Sequence, residues 1–307
     1  MRPHPSDALV GPGKARPVAV GFTQPRCLLP AARLAPSAGD GRRYPSTVPE
    51  LTEVEIYRRL ATGALGRVIS DVHSPDAWYL KGGIDAAAVL GALVSRTFTD
   101  ARRIGKLLLL DVDGGPTVGI RFGMTGNLAV DDITGVDQLG DAPRRHDSSW
   151  DRWAVFFDDG GSLVVNDPRR LGGVSFDPDV SRLGPDAATL TTGQLARALQ
   201  GSSASLKARL LDQSRVSGVG NLIADEVLWR AGLSPERPAG SLSDAEVRRL
   251  RGQITRTIAR LLGRGGSHLT SIMEHRRPGG RCPRDGAALV RATIGGRTTW
   301  WCPVHQT

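Results

Sequence analysis

Three cysteines in 307 residues are too few for a disulfide framework. Cys27 stands apart, while Cys282 and Cys302 lie near the C-terminus at a spacing that suits a metal site. Lysine is nearly as scarce. Lys14, Lys81, Lys106 and Lys207 are the four in the chain, so arginine carries most of the positive charge. No run approaches 18 apolar residues, which excludes a spanning helix. The N-terminal stretch lacks an apolar core followed by a cleavage site, which argues against a secretory signal. No internal repeat is present. A soluble, cytoplasmic protein with no membrane partner is the expectation.

The formal charge is +9 and the pI about 10.3, a balance that suits a polyanion such as nucleic acid. Residues 1–48 hold seven Lys/Arg against two Asp, so +5 of the charge lies there and +4 on the remaining 259 residues. A nucleic-acid footprint on the folded part must therefore come from placement. Residues 1–48 also hold eight of the 20 prolines without a sustained period, and read as a disordered or untranslated leader. In the second case Val48 would be decoded as the initiating methionine, and its removal would leave Pro49 with a free secondary amine.

From Pro49 the run Glu50 to Leu60 places acids early and bases late, as a helix dipole prefers. Proline favours the first helical turn, which is one reading of Pro49. The other is chemical: a free prolyl amine can form an imine with an aldehyde-like sugar carbon. Residues 65–165 turn β-like at Val68-Ile69, Lys106 to Val112, Thr117 to Phe122 and Ala154 to Phe157. Hairpin turns are predicted at Asp113-Gly114-Gly115 and Asp158 to Gly161. Helical spacing follows over 192–196, 203–213, 220–231 and 243–263, the last opened by a capping-box pattern at Ser243 to Glu246. The closing residues read as a hairpin. The fold expected is multidomain α+β: an N-terminal β-sandwich with flanking helices over 49–180, a helical DNA-binding domain over 187–265, and a zinc-finger-like β-hairpin over 276–307.

Gln213 to Glu226 carries Gly218-Val219-Gly220-Asn221 just before a helix, leaving backbone N–H groups to meet a phosphate and Asn221 to add a side-chain donor. This stretch, continued by Arg230-Ala231-Gly232-Leu233-Ser234-Pro235, resembles the helix–two-turn–helix signature of the formamidopyrimidine-DNA glycosylase / endonuclease VIII family. Four more pieces fall in that family's order. Pro49-Glu50-Leu51-Thr52-Glu53-Val54-Glu55 resembles its N-terminus, with threonine where proline is usual. Arg102 to Lys106 resembles its lysine-bearing strand, Arg121 to Gly126 the loop with an intercalating methionine, and Asp167 to Gly172 the loop that reads the orphaned base. The resemblance runs from Pro49 to the C-terminus.

It implies a bifunctional DNA glycosylase/AP lyase of base excision repair, working as a monomer on damaged double-stranded DNA. By that mapping the lesion is flipped out and Met124 fills the gap. Arg169 and Leu171 meet the opposite base, Leu171 standing where phenylalanine is commoner. The Pro49 nitrogen attacks C1′, Glu50 handles protons, Glu53 supports the amine, and β,δ-elimination cuts the strand. Lys106, Lys207, Gly220, Asn221 and Arg297 are carried over as contacts around the phosphates. The family's finger has four cysteines, whereas this chain has Cys282-x2-Asp285, sixteen residues, then Cys302-x2-His305. Carboxylate oxygen and imidazole nitrogen are both zinc ligands, so one zinc per chain is expected, with a metal-free hairpin packed on Trp300 and Trp301 as the alternative. The short Ser267 to Arg281 segment lacks the insertion of the 8-oxoguanine branch, and points to oxidised pyrimidines or formamidopyrimidines on the endonuclease VIII-like side. Two other classes stay open. A retained leader would make the chain a damage-binding protein without chemistry, and an RNA-binding structural protein would explain Asn221 and Cys282 but not Pro49-Glu50.

Overall fold

The computed structural model describes residues 48–135 and 147–307. Helix α1 (Leu51–Ala61) opens the fold where the acid-then-base pattern predicts it, with Glu53 in its first turn and Arg58 and Arg59 in its last. Val54, Tyr57 and Ala61 face the sandwich core. Leu51, one turn earlier, is buried instead among the helices with Leu210 and Val219. The start of α1 is thus inserted between two cores.

Among the described residues, nine strands build the sandwich: β1 (Ile69–His73), β2 (Phe98–Ile104), β3 (Leu107–Val112), β4 (Val118–Arg121), β5 (Asn127–Val130), β6 (Ile133–Thr134), β7 (Asp151–Phe157), β8 (Ser162–Asn166) and β9 (Gly173–Phe176). One sheet has the order β1-β7-β8-β5-β6 and the other β2-β3-β4-β9. Every pair is antiparallel. Leu108, Leu110 and Ile120 of one sheet meet Leu128, Val155 and Val165 of the other in a continuous core. The four-leucine run of β3 is buried on both faces, which explains why it shows no alternation. Helix α2 (Ala86–Leu93), capped by Asp85 accepting from the Ala88 amide at 2.7 Å, was not foreseen; its alanine-rich sequence carries little periodicity.

The chain crosses between the sheets twice in one place. β4 leads across to β5, and β8 leads back to β9. Because β4 pairs with β9 (Arg121↔Gly173) and β5 with β8 (Asn127↔Asn166), the two crossovers lie side by side. They are the segments Phe122–Gly126 and Asp167–Gly172, the loops on which the sequence placed Met124, Arg169 and Leu171.

The helical part comprises α3 (Thr192–Leu199), α4 (Leu206–Leu211), α5 (Asn221–Ala231) and α6 (Asp244–Arg264). The expected helix over 203–213 is shorter, starting after Ser205 and ending before Asp212. The Ser243/Glu246 capping box opens α6. The final hairpin pairs β10 (Val290–Ile294) with β11 (Arg297–Trp301). Its core of Cys282, Leu289, Trp300 and Cys302 packs on Trp229, near the C-terminal end of α5.

Candidate active site and nucleic-acid interface

Pro49 and Glu50 are buried at the seam between the sandwich and α5. The Glu50 carboxylate leaves its own helix and caps another. Its Oε1 accepts from the Leu222 amide at 2.7 Å, and its Oε2 from the Gly220 and Ile223 amides at 3.1 and 3.0 Å. Three N–H groups at the positive end of α5 thus converge on one buried anion. Burial pushes the Glu50 carboxyl above its usual range and nearby Glu53 adds to this; Lys106 and the Leu222 and Ile223 amides oppose it.

This geometry corrects one expectation. The Gly220 N–H is not free to meet a phosphate, because Glu50 holds it. Gly220 is glycine for a steric reason: a Cβ there would run into the Glu50 side chain. Glu53 is likewise committed. Its Oε2 accepts from the Glu50 amide at 2.9 Å and the Thr52 hydroxyl at 3.0 Å, and its Oε1 from the Ser267 amide at 2.5 Å. It fixes the backbone next to Pro49 and ties it to the loop after α6.

Lys106 begins the strand-turn facing this corner. Burial holds its ammonium below the usual lysine range and the like charge of Arg297 adds to the effect, while Glu50 and Glu53 oppose it. Arg297, at the start of β11, is exposed and donates only weakly to the Gly296 carbonyl at 3.5 Å. A pocket of about 200 Å³ is lined by Pro49, Val54, Lys106, Arg121, Phe122, Gly123 and Leu171. Arg121 was quoted in the sequence only as the start of a motif. It is a further cation of the pocket wall, and desolvation alone shifts it, downward. Sequence alone could not reveal that the end of β4 turns toward Pro49.

The two crossovers interlock. Asp167 is fully buried and accepts from the Thr125 hydroxyl at 2.6 Å, the Arg169 amide at 3.2 Å and the Gly172 amide at 2.9 Å. Gly123, with φ +59°, lies so close to the Leu171 carbonyl carbon that a Cβ would approach it to 2.5 Å. The result leaves Met124 (37% exposed), Leu171 (51% exposed) and Arg169 on the surface. Leu171 lines the pocket and Met124 lies on the adjoining crossover, so two large apolar side chains stand outward on neighbouring loops.

Lys207 needs a second correction. It is fully buried, paired with Asp225 at 2.6 Å, and donates to the Thr299 hydroxyl at 2.7 Å. It does not reach solvent, so it acts as an internal strut and not as a phosphate contact. Arg276 also pairs with Asp225, at 2.9 Å. The Thr298 carbonyl then collects donors from Lys207 (3.4 Å), Asn221 (3.2 Å) and Arg276 (3.3 Å). This knot fastens the hairpin to α5 next to Arg297, and brings Asn221 beside it.

At the hairpin base, one ligand atom from each of Cys282, Asp285, Cys302 and His305 lies within 4.8 Å of the others. His305 Nδ1 is 3.6 Å from the Cys282 sulfur and 3.0 Å from Asp285 Oδ2, while its Nε2 contacts the Trp229 carbonyl at 3.1 Å. A proton on Nε2 donated to that carbonyl leaves Nδ1 as the lone pair facing the cluster. The Trp229 indole N–H donates to Cys282 Sγ at 3.3 Å. Two thiols, a carboxylate and an imidazole converging with such support fit a tetrahedral metal.

Residues 48–174 match the model of the formamidopyrimidine-DNA glycosylase N-terminal domain, and residues 183–272 that of the formamidopyrimidine-DNA glycosylase H2TH domain. A formamidopyrimidine-DNA glycosylase of Xanthomonas campestris pv. campestris (strain 8004) is 36% identical over 284 residues, covering 84% of this chain and 100% of the relative. One of Chloroflexus aggregans is 31% identical over 282 residues, covering 84% and 98%. Among solved structures, the Lactococcus lactis enzyme in complex with abasic-site DNA superposes with a TM-score of 0.72 at 24% identity, over 84% of this chain and 100% of that one. The same enzyme non-covalently bound to AP-site DNA gives 0.71 at 25% identity, with the same coverage. The α+β architecture, the crossover loops and the Glu50-capped helix therefore have one source: the chain belongs to the formamidopyrimidine-DNA glycosylase family.

Proposed function

We propose that this protein removes oxidised bases from duplex DNA as a glycosylase/AP lyase, using the amine of Pro49 as nucleophile. The observation that carries the reading is that Pro49 and Lys106 line one pocket with Leu171 at its wall, while Glu50, buried next to Pro49 in the chain, interacts electrostatically with Lys106. The Pro49 nitrogen attacks C1′ of a flipped nucleotide, and the C1′–base bond breaks with its electrons leaving on the base. Glu50 takes up the proton that the Pro49 nitrogen sheds on bonding to C1′ and returns it to the ring oxygen as the sugar opens, a transfer for which a raised carboxyl pKa is suited. The resulting iminium makes the C2′ proton acidic. Its loss expels the 3′ phosphate, and a second elimination expels the 5′ phosphate. Lys106, Asn221 and Arg297 supply cationic and amide donors on the phosphate side.

Cys282, Asp285, Cys302 and His305 are the residues that would hold a zinc ion. When bound, it would brace the hairpin and supply no step of the reaction. The lesion class favoured is formamidopyrimidines and oxidised pyrimidines, since only short turns at Ser267–Leu269 and Met273–His275 occupy the segment before Cys282. The chemistry requires a free amine at Pro49. With Val48 attached, the nitrogen is an amide, and the same surface would bind damaged DNA without cutting it. The test is cleavage of a duplex carrying one formamidopyrimidine. A chain starting at Pro49 should release the base and leave phosphate on both ends of the gap; intact strands with this chain would refute the reading.

A further inference from the structure

The segment between β1 and α2 holds an exposed aromatic that the mechanism above does not use. Trp78 is 67% exposed, whereas its neighbour Tyr79 is fully buried. A lone exposed aromatic is ordinary on a protein surface, so it is the way Trp78 is held that sets it apart. The Asp76 carboxylate accepts its backbone N–H at 3.1 Å, and Lys81 Nζ donates to its carbonyl at 2.5 Å. The same ammonium sits 4.5 Å from the centre of the indole ring, so a fixed cation lies against the aromatic surface.

The segment is also fastened to the opposite-base loop. The Lys81 amide donates to the Val174 carbonyl at 2.7 Å. Asp76 grips Arg170 with two bonds of 2.6 Å each. Arg170 has φ +55°, a left-handed backbone that is costly for a side-chain-bearing residue and that this clamp helps to hold. Arg170 is therefore spent on Asp76, and Lys81 is the cation that the neighbouring segment contributes in its place. An aromatic plane with an adjoining cation matches a nucleotide, whose base or sugar takes the ring and whose phosphate takes the charge.

We propose that Trp78 and Lys81 form a second DNA-contacting platform that grips the complementary strand beside the Arg169–Leu171 loop. This rests on the reading of the site as one that holds a damaged duplex. The occupant is that same duplex, because the platform is continuous with the loop facing the orphaned base. Asp76 serves both: one carboxylate fixes the indole segment and the reading loop at a set separation.

The experiment measures the affinity of the full chain, in wild-type, Trp78→Ala and Lys81→Gln forms, for an abasic-site duplex and for the same damaged strand alone. Both side chains are surface-borne, and an unchanged melting temperature would verify that the variants fold. Trp78→Ala should weaken duplex binding by roughly tenfold. Lys81→Gln should lower the slope of log affinity against log salt by about one. Neither should alter binding to the single strand. Unchanged duplex affinity in Trp78→Ala, or equal losses on duplex and single strand, would overturn the platform while leaving the site reading intact. Failure of the wild type to prefer abasic duplex over undamaged duplex would overturn both.

Discussion

A single methyl group at Gly220 should disconnect the sandwich from α5. The backbone there is extended (φ −116°, ψ −167°), so alanine brings no conformational strain. The obstacle is Glu50. A Cβ would sit 2.5 Å from its Cγ and Oε1 and nearer still to Cδ. A glutamate tip normally swings aside, but this one holds three helix amides. Losing one or two bonds to a charged acceptor costs about 1.5–3 kcal/mol each. Part is recovered, since an expelled carboxylate regains water and burial is the main force raising its pKa. Gly220→Ala should thus destabilise by about 2–4 kcal/mol. In a Glu50→Ala background the clash is gone, and the same change should cost under about 1 kcal/mol, leaving a coupling of roughly 2–3 kcal/mol. Urea unfolding of the four proteins in this cycle measures it. Equal costs of Gly220→Ala in both backgrounds would refute the capping argument.

Other consequences are more local. Lys106 has a lowered pKa, and a lysine loses its charge as pH rises through that value. Affinity for abasic duplex should be flat below it and weaken by up to about tenfold per pH unit above it. Lys106→Arg should move the onset to higher pH, and a profile unchanged by that substitution would count against Lys106. Lys207→Met leaves Asp225 paired with Arg276 alone; it should destabilise the fold by about 1–3 kcal/mol and speed proteolysis of the hairpin. Proteolysis at the wild-type rate would contradict the strut assignment. The chain should retain one zinc per molecule by elemental analysis, and Asp285→Cys should slow its removal by a chelator, because thiolate is the better ligand for zinc. Faster removal from Asp285→Cys would show that the carboxylate is not in the ligand set.

Local signals carried much of the fold into the sequence. The acid-to-base gradient announced α1, the Ser243/Glu246 box announced α6, and the glycine turns announced the β3–β4 and β7–β8 hairpins. Spacing pointed to Cys282 and Cys302, and the resemblance to the family's finger added Asp285 and His305, which the fold gathers into one cluster. Long-range pairings were not legible. Nothing near Glu50 says that its carboxylate will cap a helix 170 positions away, so Gly220 read as a phosphate cradle. Lys207 looked like a surface cation because its partner Asp225 lies on another helix and its acceptor Thr299 on the distant hairpin. Arg121 escaped for the same reason, since its part in the pocket depends on where two sheets cross.

The central claim is that Pro49 nitrogen joins the substrate. Borohydride reduction of a chain beginning at Pro49, mixed with an abasic-site duplex, tests it most directly when the adduct is digested and weighed. The account predicts a covalent protein–DNA species whose added mass maps to the Pro49 peptide and which disappears when Val48 is retained. An adduct on a lysine, or tight binding with no adduct, would contradict it.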